Sequence, residues 1–327
     1  MLKVFSAALL IGASPLLGCA AAPSLAAPVA PETRPAAEIR VLEAVWRDEA
    51  RSRDVPVRIY LPAGTGPAPA VIVSHGLGGT REGLAYMGRA LAAHGYVAVH
   101  VQHAGSDIGA ARVGTGTPIQ NLAAAARDPE VAANRFGDVP FAVTELLRLN
   151  GQAGALQGRI DGDHLAILGH SFGAVTSLAV AGQAFPGGRT ARDPRIDVAV
   201  ALSPSPPRQQ TSVQAYGTID IPVLMFTGTV DTSPVDDFPP ERRQEPYGAL
   251  SRAFRMLVVF DGADHAVFGG RTRGPAESTD SAIQAETIRI TLAFLDRFLR
   301  AQPADLAGIE AAGDAGLRAP GRLRFAE

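Results

Sequence analysis

The sequence predicts an α/β protein with a mostly parallel eight-stranded sheet and helices on both faces. Short apolar runs alternate with helical stretches along most of the chain, and many of the runs are apolar throughout, as strands covered on two sides should be. The third observation is size: 327 residues, 46% of them hydrophobic, suffice for one large core.

The elements follow in chain order. Residues 1–19 read as a signal peptide, with Met1-Leu2-Lys3 as a positive start and residues 4–18 as an apolar run too short to span a bilayer. Leu16-Leu17-Gly18-Cys19 resembles a bacterial lipoprotein signal, which implies lipidation of Cys19 and membrane attachment; the Ala-rich residues 20–27 suit an ordinary signal peptidase, which implies a free periplasmic or secreted form. Cys19 is the only cysteine, so an internal disulfide is excluded. Residues 20–37, rich in Ala and Pro, read as a flexible linker. The domain then spans 38–301, and 302–327 reads as a C-terminal tail with no clear role.

Alternating patterns at 38–46 and 55–61 predict antiparallel strands with one covered face, and 62–69 is a turn. The run 70–74 ends in His75-Gly76-Leu77-Gly78-Gly79 and leads to a helix over 81–94. Strands are expected at 95–101, 164–168, 198–202, 223–226 and 257–260, and helices at 136–149, 174–181 and 281–300. Segments 105–135 and 232–255 break the alternation and read as lid insertions. In the second, Glu241, Arg242, Arg243 and Glu245 read as either a polar acyl-binding site or a solvated loop.

Composition removes several function classes. A formal net charge of -2 provides no field to gather nucleic acid. Lys3 is the only lysine, so once the leader is removed no amine side chain remains for a Schiff base, a serine-lysine dyad or a P-loop. No metal site is expected, because His100 and His103 lie at a strand end, facing opposite sides, with no acidic cluster at ligand spacing.

Gly169-His170-Ser171-Phe172-Gly173 has the pattern of a nucleophile elbow, and it lies where an apolar strand ends and a helix begins. The serine must sit on a strained turn, and side chains at 169 and 173 would collide with neighbouring backbone. Its hydroxyl needs a base to take its proton. In the α/β-hydrolase fold that base follows both nucleophile and acid, and of the seven histidines only His265 follows Ser171. Asp231, after the strand 223–226, is the candidate acid; Asp236, Asp237, Asp261 and Asp264 are rivals, too far along the loop or too close to His265. The backbone N–H groups of Leu77 and Phe172 are the candidate oxyanion donors.

Together Ser74-His75-Gly76-Leu77-Gly78-Gly79, Arg81-Glu82-Gly83, Ala93-His94-Gly95-Tyr96 and His103-Ala104-Gly105-Ser106-Asp107 resemble the bacterial dienelactone hydrolase-like esterases related to platelet-activating-factor acetylhydrolases. The resemblance covers most of 40–300 and implies an α/β-hydrolase that cleaves carboxylic esters without a cofactor, acting on a small-molecule or lipid ester. Dienelactone hydrolases carry cysteine where this chain has Ser171, and the acetylhydrolases place their acid one strand earlier, where this chain reads Leu202-Ser203-Pro204. Amide or peptide hydrolysis by the same triad, and a non-catalytic binding protein anchored through Cys19, are the alternatives.

Overall fold

The computed structural model describes residues 38–274 and 279–326. The expected signal peptide, Cys19 and the linker up to residue 37 lie outside the described residues.

Strands β1 (Arg40–Asp48) and β2 (Arg53–Leu61) pair antiparallel from Arg40 opposite Leu61 to Asp48 opposite Arg53. Their burial largely alternates, as their sequence pattern requires of a half-covered ribbon. Next come β3 (Ala68–Ser74), α1 (Ala85–Ala93), β4 (Val97–Val101), α2 (Pro118–Arg127), α3 (Pro129–Asn150), β5 (Ile160–His170) and α4 (Phe172–Ala181). A two-residue hairpin, β6 (Ala184–Phe185) and β7 (Arg189–Thr190), precedes β8 (Val198–Leu202), α5 (Ser212–Tyr216) and β9 (Val223–Val230). The chain continues through α6 (Glu245–Ala249), β10 (Arg255–Asp264), α7 (His265–Phe268), α8 (Thr279–Leu299), α9 (Ala304–Ala312) and β11 (Gly321–Ala326).

Among the described residues the main sheet has nine strands in the order β1-β2-β4-β3-β5-β8-β9-β10-β11. The pairs from β4 through β3, β5, β8 and β9 to β10 are parallel, and β1, β2 and β11 run antiparallel to their neighbours. This is the α/β-hydrolase fold. β3, β4 and β8 are buried along their whole length, which accounts for their uninterrupted apolar sequence. Successive residues of β3 feed opposite cores: Ile72 packs with Val139, Val143 and Leu178 on the α3 and α4 side, whereas Val71 and Val73 pack with Met87, Leu91 and Phe294 of α1 and α8. Each such fully buried side chain contributes about 1.5–3 kcal/mol.

One feature corrects the sequence reading. The sheet has nine strands instead of eight, because β11 pairs with β10 from Arg255 opposite Ala326 to Phe260 opposite Gly321. Residues 302–327 therefore do more than trail from the domain: Leu306 and Ile309 of α9 and Ala319 are buried in the core beside α8. The signal was weak because β11 is an edge strand whose sequence interleaves Arg322 and Arg324 with Leu323 and Phe325. The segments read as lids are folded. Residues 105–135 hold a turn capped by Asp107, then α2 with a Thr117/Gln120 capping box and the start of α3 capped by Asp128; residues 232–255 hold a 3₁₀ turn (Pro240–Gln244) and α6.

Candidate active site

β5 delivers Ser171 to a turn with φ 58° and ψ −115°, and α4 begins at the next residue. A non-glycine residue at positive φ is strained and persists only where its surroundings enforce it. The flanking glycines supply that enforcement. A Cβ on Gly169 would lie 2.2 Å from the carbonyl oxygen of Gly173, and one on Gly173 would lie 2.0 Å from that of Ser74. Elbow, β3 and helix are thus in backbone contact, and the Ser171 N–H is tied to Leu202 O at 2.9 Å.

The three residues singled out by their order in the sequence meet here. Ser171 Oγ lies 2.8 Å from His265 Nε2, and His265 Nδ1 lies 2.7 Å from Asp231 Oδ1. With Nδ1–H donating to the carboxylate, Nε2 is left as the acceptor for the serine proton. His265 opens α7, whose N-cap is Asp264: its carboxylate accepts from the N–H groups of Ala266 and Val267, both at 3.0 Å. Asp264 is therefore engaged in the backbone, and Asp237 and Asp261 are exposed.

Asp231 is fully buried and every partner it has is a donor. Oδ1 also lies 2.9 Å from the cationic Arg243 Nε as an ion pair, and Oδ2 accepts from the Thr227 hydroxyl at 2.8 Å. Burial alone would raise its pKa, but the His265 hydrogen bond and the Arg243 charge outweigh that and hold it below the usual carboxylate range. Arg243 is itself fully buried; Nε also donates to Asp231 O at 2.8 Å, Nη2 to Asp236 Oδ2 at 2.7 Å, and Nη1 to Ser203 O and Pro204 O at 3.3 Å. Within the run Glu241 to Glu245, Arg242 is exposed and pairs with Glu245, while Arg243 anchors the carboxylate. Asp236 is a second ligand of that guanidinium and not a rival for the imidazole.

Sequence reasoning also missed His170. Its Nε2 is 2.9 Å from the carbonyl oxygen of His265 and its ring packs 4.8 Å from the His265 ring, so a residue of the elbow steadies the backbone of the imidazole it must meet. Burial, followed by the neighbouring His265, pushes its pKa down to about 3 and keeps the ring neutral.

Beside Ser171 two backbone donors are free. Phe172 opens α4, so its N–H has no intrahelical acceptor. Around it the amides of Gly78 and Gly79 are spent on Ser106 O and Gly76 O, whereas those of Leu77 and Phe172 donate to no backbone carbonyl in the turns and loops of the described residues. Leu77, Ser171 and Phe172 line one cavity of about 650 Å³. Its apolar wall comes from Ala132, Phe136, Val175, Phe185 and Pro186, and Arg127, Arg189, Arg192 and Arg208 stand around it. Gln183, 5% exposed, also lines it, and its carboxamide oxygen has no hydrogen-bond partner among the described residues. From the insertion 232–255 only Val235 and Asp236 reach this cavity; α3, the β6–β7 hairpin and the loop 205–210 each contribute more of its wall. Among the described residues there is no cluster of His, Cys, Asp or Glu that could hold a metal ion, and no helix is long and apolar enough to cross a membrane.

No family model matches the chain. It is 25% identical over 208 residues to Cutinase 2 of Thermobifida cellulosilytica, covering 63% of this chain and 64% of that protein. It is equally similar over 208 residues to Cutinase cut1 of Thermobifida fusca, covering 52% of that protein, and 24% identical over 174 residues to Cutinase est2 of Thermobifida alba, covering 45% of it. The matched region thus spans less than two thirds of the length of these curated relatives. The likeness is consistent with the α/β-hydrolase fold that the sheet shows.

Proposed function

We propose that this chain is an exported serine hydrolase that cleaves carboxylic esters through an acyl-enzyme. The observation that carries the reading is the continuous hydrogen-bonded line from Ser171 through His265 to Asp231, buried at its acidic end and open to a cavity at its serine end. Ser171 Oγ attacks the ester carbonyl as its proton passes to His265 Nε2, and the carbonyl electron pair moves onto oxygen, where the N–H groups of Leu77 and Phe172 stabilise it. As the tetrahedral species collapses, the alcohol oxygen leaves with the proton from His265. Water then repeats the attack on the acyl group, with His265 as base again, and the acid departs as Ser171 regains its proton. Asp231 stays ionised throughout and stabilises the imidazolium formed in each half.

The resemblance of the His75–Gly79 region to dienelactone hydrolase-like esterases and the likeness to cutinases both support ester cleavage. The cavity favours an ester with a substantial apolar portion, and the unpaired Gln183 oxygen offers a place for a hydroxyl or N–H on that portion.

Labelling with a fluorophosphonate tests the nucleophile: the wild-type chain is expected to react stoichiometrically and Ser171→Ala not at all. Equal labelling of the two would remove Ser171 from the reaction. A panel of nitrophenyl esters of increasing acyl length then reads the substrate class.

A further inference from the structure

Behind the site lies a buried cation that the reaction as written does not use. Arg135 is completely buried in α3, and its guanidinium binds three segments of the chain at once. Nη2 donates to His75 O at 2.5 Å and to Ser74 Oγ at 2.9 Å, at the end of β3 where the Leu77 loop begins. Nη1 donates to Ser106 Oγ at 2.8 Å, and the carbonyl of Ser106 in turn accepts the Gly78 N–H of that loop. Nε donates to Thr176 Oγ1 at 3.1 Å; that hydroxyl donates to Phe172 O, and the guanidinium carbon lies 4.5 Å from the centre of the Phe172 ring.

The charge on this group is not cancelled by direct contact. Among the described residues no carboxylate lies within ion-pairing distance of Arg135; the nearest link is indirect, from Ser74 Oγ to His103 Nε2 at 3.0 Å and from His103 Nδ1 to Asp138 Oδ2 at 3.0 Å. Asp138 is held by His103, Arg53 and Arg51; with His103 Nδ1–H donating to it, Ser74 Oγ accepts from Arg135 and donates its hydroxyl to Nε2 of the neutral imidazole. Burial pushes the Arg135 pKa down to about 9, which still leaves it charged at neutral pH. A buried cation with no carboxylate in direct contact is costly and needs a reason.

We propose that Arg135 is the positioning residue of the oxyanion hole: one guanidinium sets the two walls that carry the Leu77 and Phe172 donors, and its charge favours the negative oxygen that forms between them. This rests on the ester-hydrolase reading above. It assigns a role in the transition state to a residue that makes no direct contact with the reacting atoms.

The test uses the full chain with Arg135→Met, Arg135→Lys and Thr176→Val. Each is measured for kcat and KM on one nitrophenyl ester, per active site titrated to completion with a fluorophosphonate, and for inhibition by an arylboronic acid, which forms an anionic tetrahedral adduct with serine. Arg135→Met is expected to lose about 100-fold in kcat, the scale of removing one oxyanion donor. KM should stay within about twofold, with boronate affinity falling in parallel with kcat. Arg135→Lys should recover part of both, and Thr176→Val should fall between wild type and Arg135→Met. If the variants only lower thermal stability, with kcat per titrated site and boronate affinity unchanged, Arg135 is a structural residue and the proposal fails. Should Arg135→Met not fold, the other two variants decide on the same readouts. Wild type that neither labels nor turns over would instead overturn the hydrolase reading.

Discussion

Replacing Asp231 by asparagine isolates the charge of the acid from its geometry, because Arg243 dictates how the new amide must sit. Oδ1 accepts from His265 Nδ1 and lies 2.9 Å from the Arg243 cation, which repels an NH₂ and favours an oxygen there; the new NH₂ is left facing the Thr227 hydroxyl, which can turn to accept it. His265 thus keeps its tautomer and loses only its anionic partner. With charge centres about 4 Å apart and an effective dielectric of about 20, a carboxylate and an imidazolium attract by about 4 kcal/mol. At about 1.4 kcal/mol per decade that corresponds to a loss of about 10³ in rate. Where an asparagine instead turns its NH₂ to the ring and fixes the wrong tautomer, the loss is about 10⁴. The assay is kcat/KM on a nitrophenyl ester near neutral pH, per titrated site, together with the proton NMR signal of His265 Nδ1–H, which should persist in Asp231→Asn. A loss below about tenfold would show that the charge of Asp231 is not used. Loss of the Nδ1–H signal would show that Arg243 does not control the amide, and the reasoning above would fail.

Two further outcomes concern the scaffold. His75, His100, His103 and His170 are buried and kept neutral by burial, with His100 and His103 pushed down to about 4, His170 to about 3, and His75 well below its ordinary value. In the unfolded chain each protonates near pH ~6.5, so below that the unfolded state binds more protons and stability falls as the solution is acidified, by up to about 1.4 kcal/mol per pH unit for each ring. The urea midpoint should therefore fall continuously from about pH 6.5 to about pH 5, and a flat midpoint over that range would show that these rings accept protons in the native state. Gly173→Ala, whose Cβ would meet Ser74 O at 2.0 Å, should cost about 3 kcal/mol or more, whereas Gly66→Ala, with nothing within 4 Å, should be nearly neutral by thermal denaturation.

The parts of this molecule that obey a period were legible in its sequence. β3, β4 and β8 declare themselves as apolar runs because both faces are covered, and the elbow does so because two glycines have backbone where a Cβ would be. Ser171 could be selected by the elbow pattern, His265 by order and Asp231 by its place just after a strand. Arg135 and Arg243 could not. Each is one arginine in an irregular or newly started segment, and it is burial against partners far away in the chain, such as Ser74 or Ser203, that separates it from a solvated charge. β11 was hidden for a related reason: an edge strand with one open face alternates arginine with apolar residues and resembles a polar tail. The β6–β7 hairpin, with two residues in each strand, is too short to carry any periodic signal.

That hairpin pairs with itself and with no strand of the main sheet, yet Phe185, Pro186, Arg189 and Thr190 face the cavity. Part of the wall that a substrate meets is consequently carried by a segment outside the sheet that carries the chemistry. Changes of length or side chain in that small flap would reshape one side of the cavity while leaving every hydrogen bond of the main sheet in place.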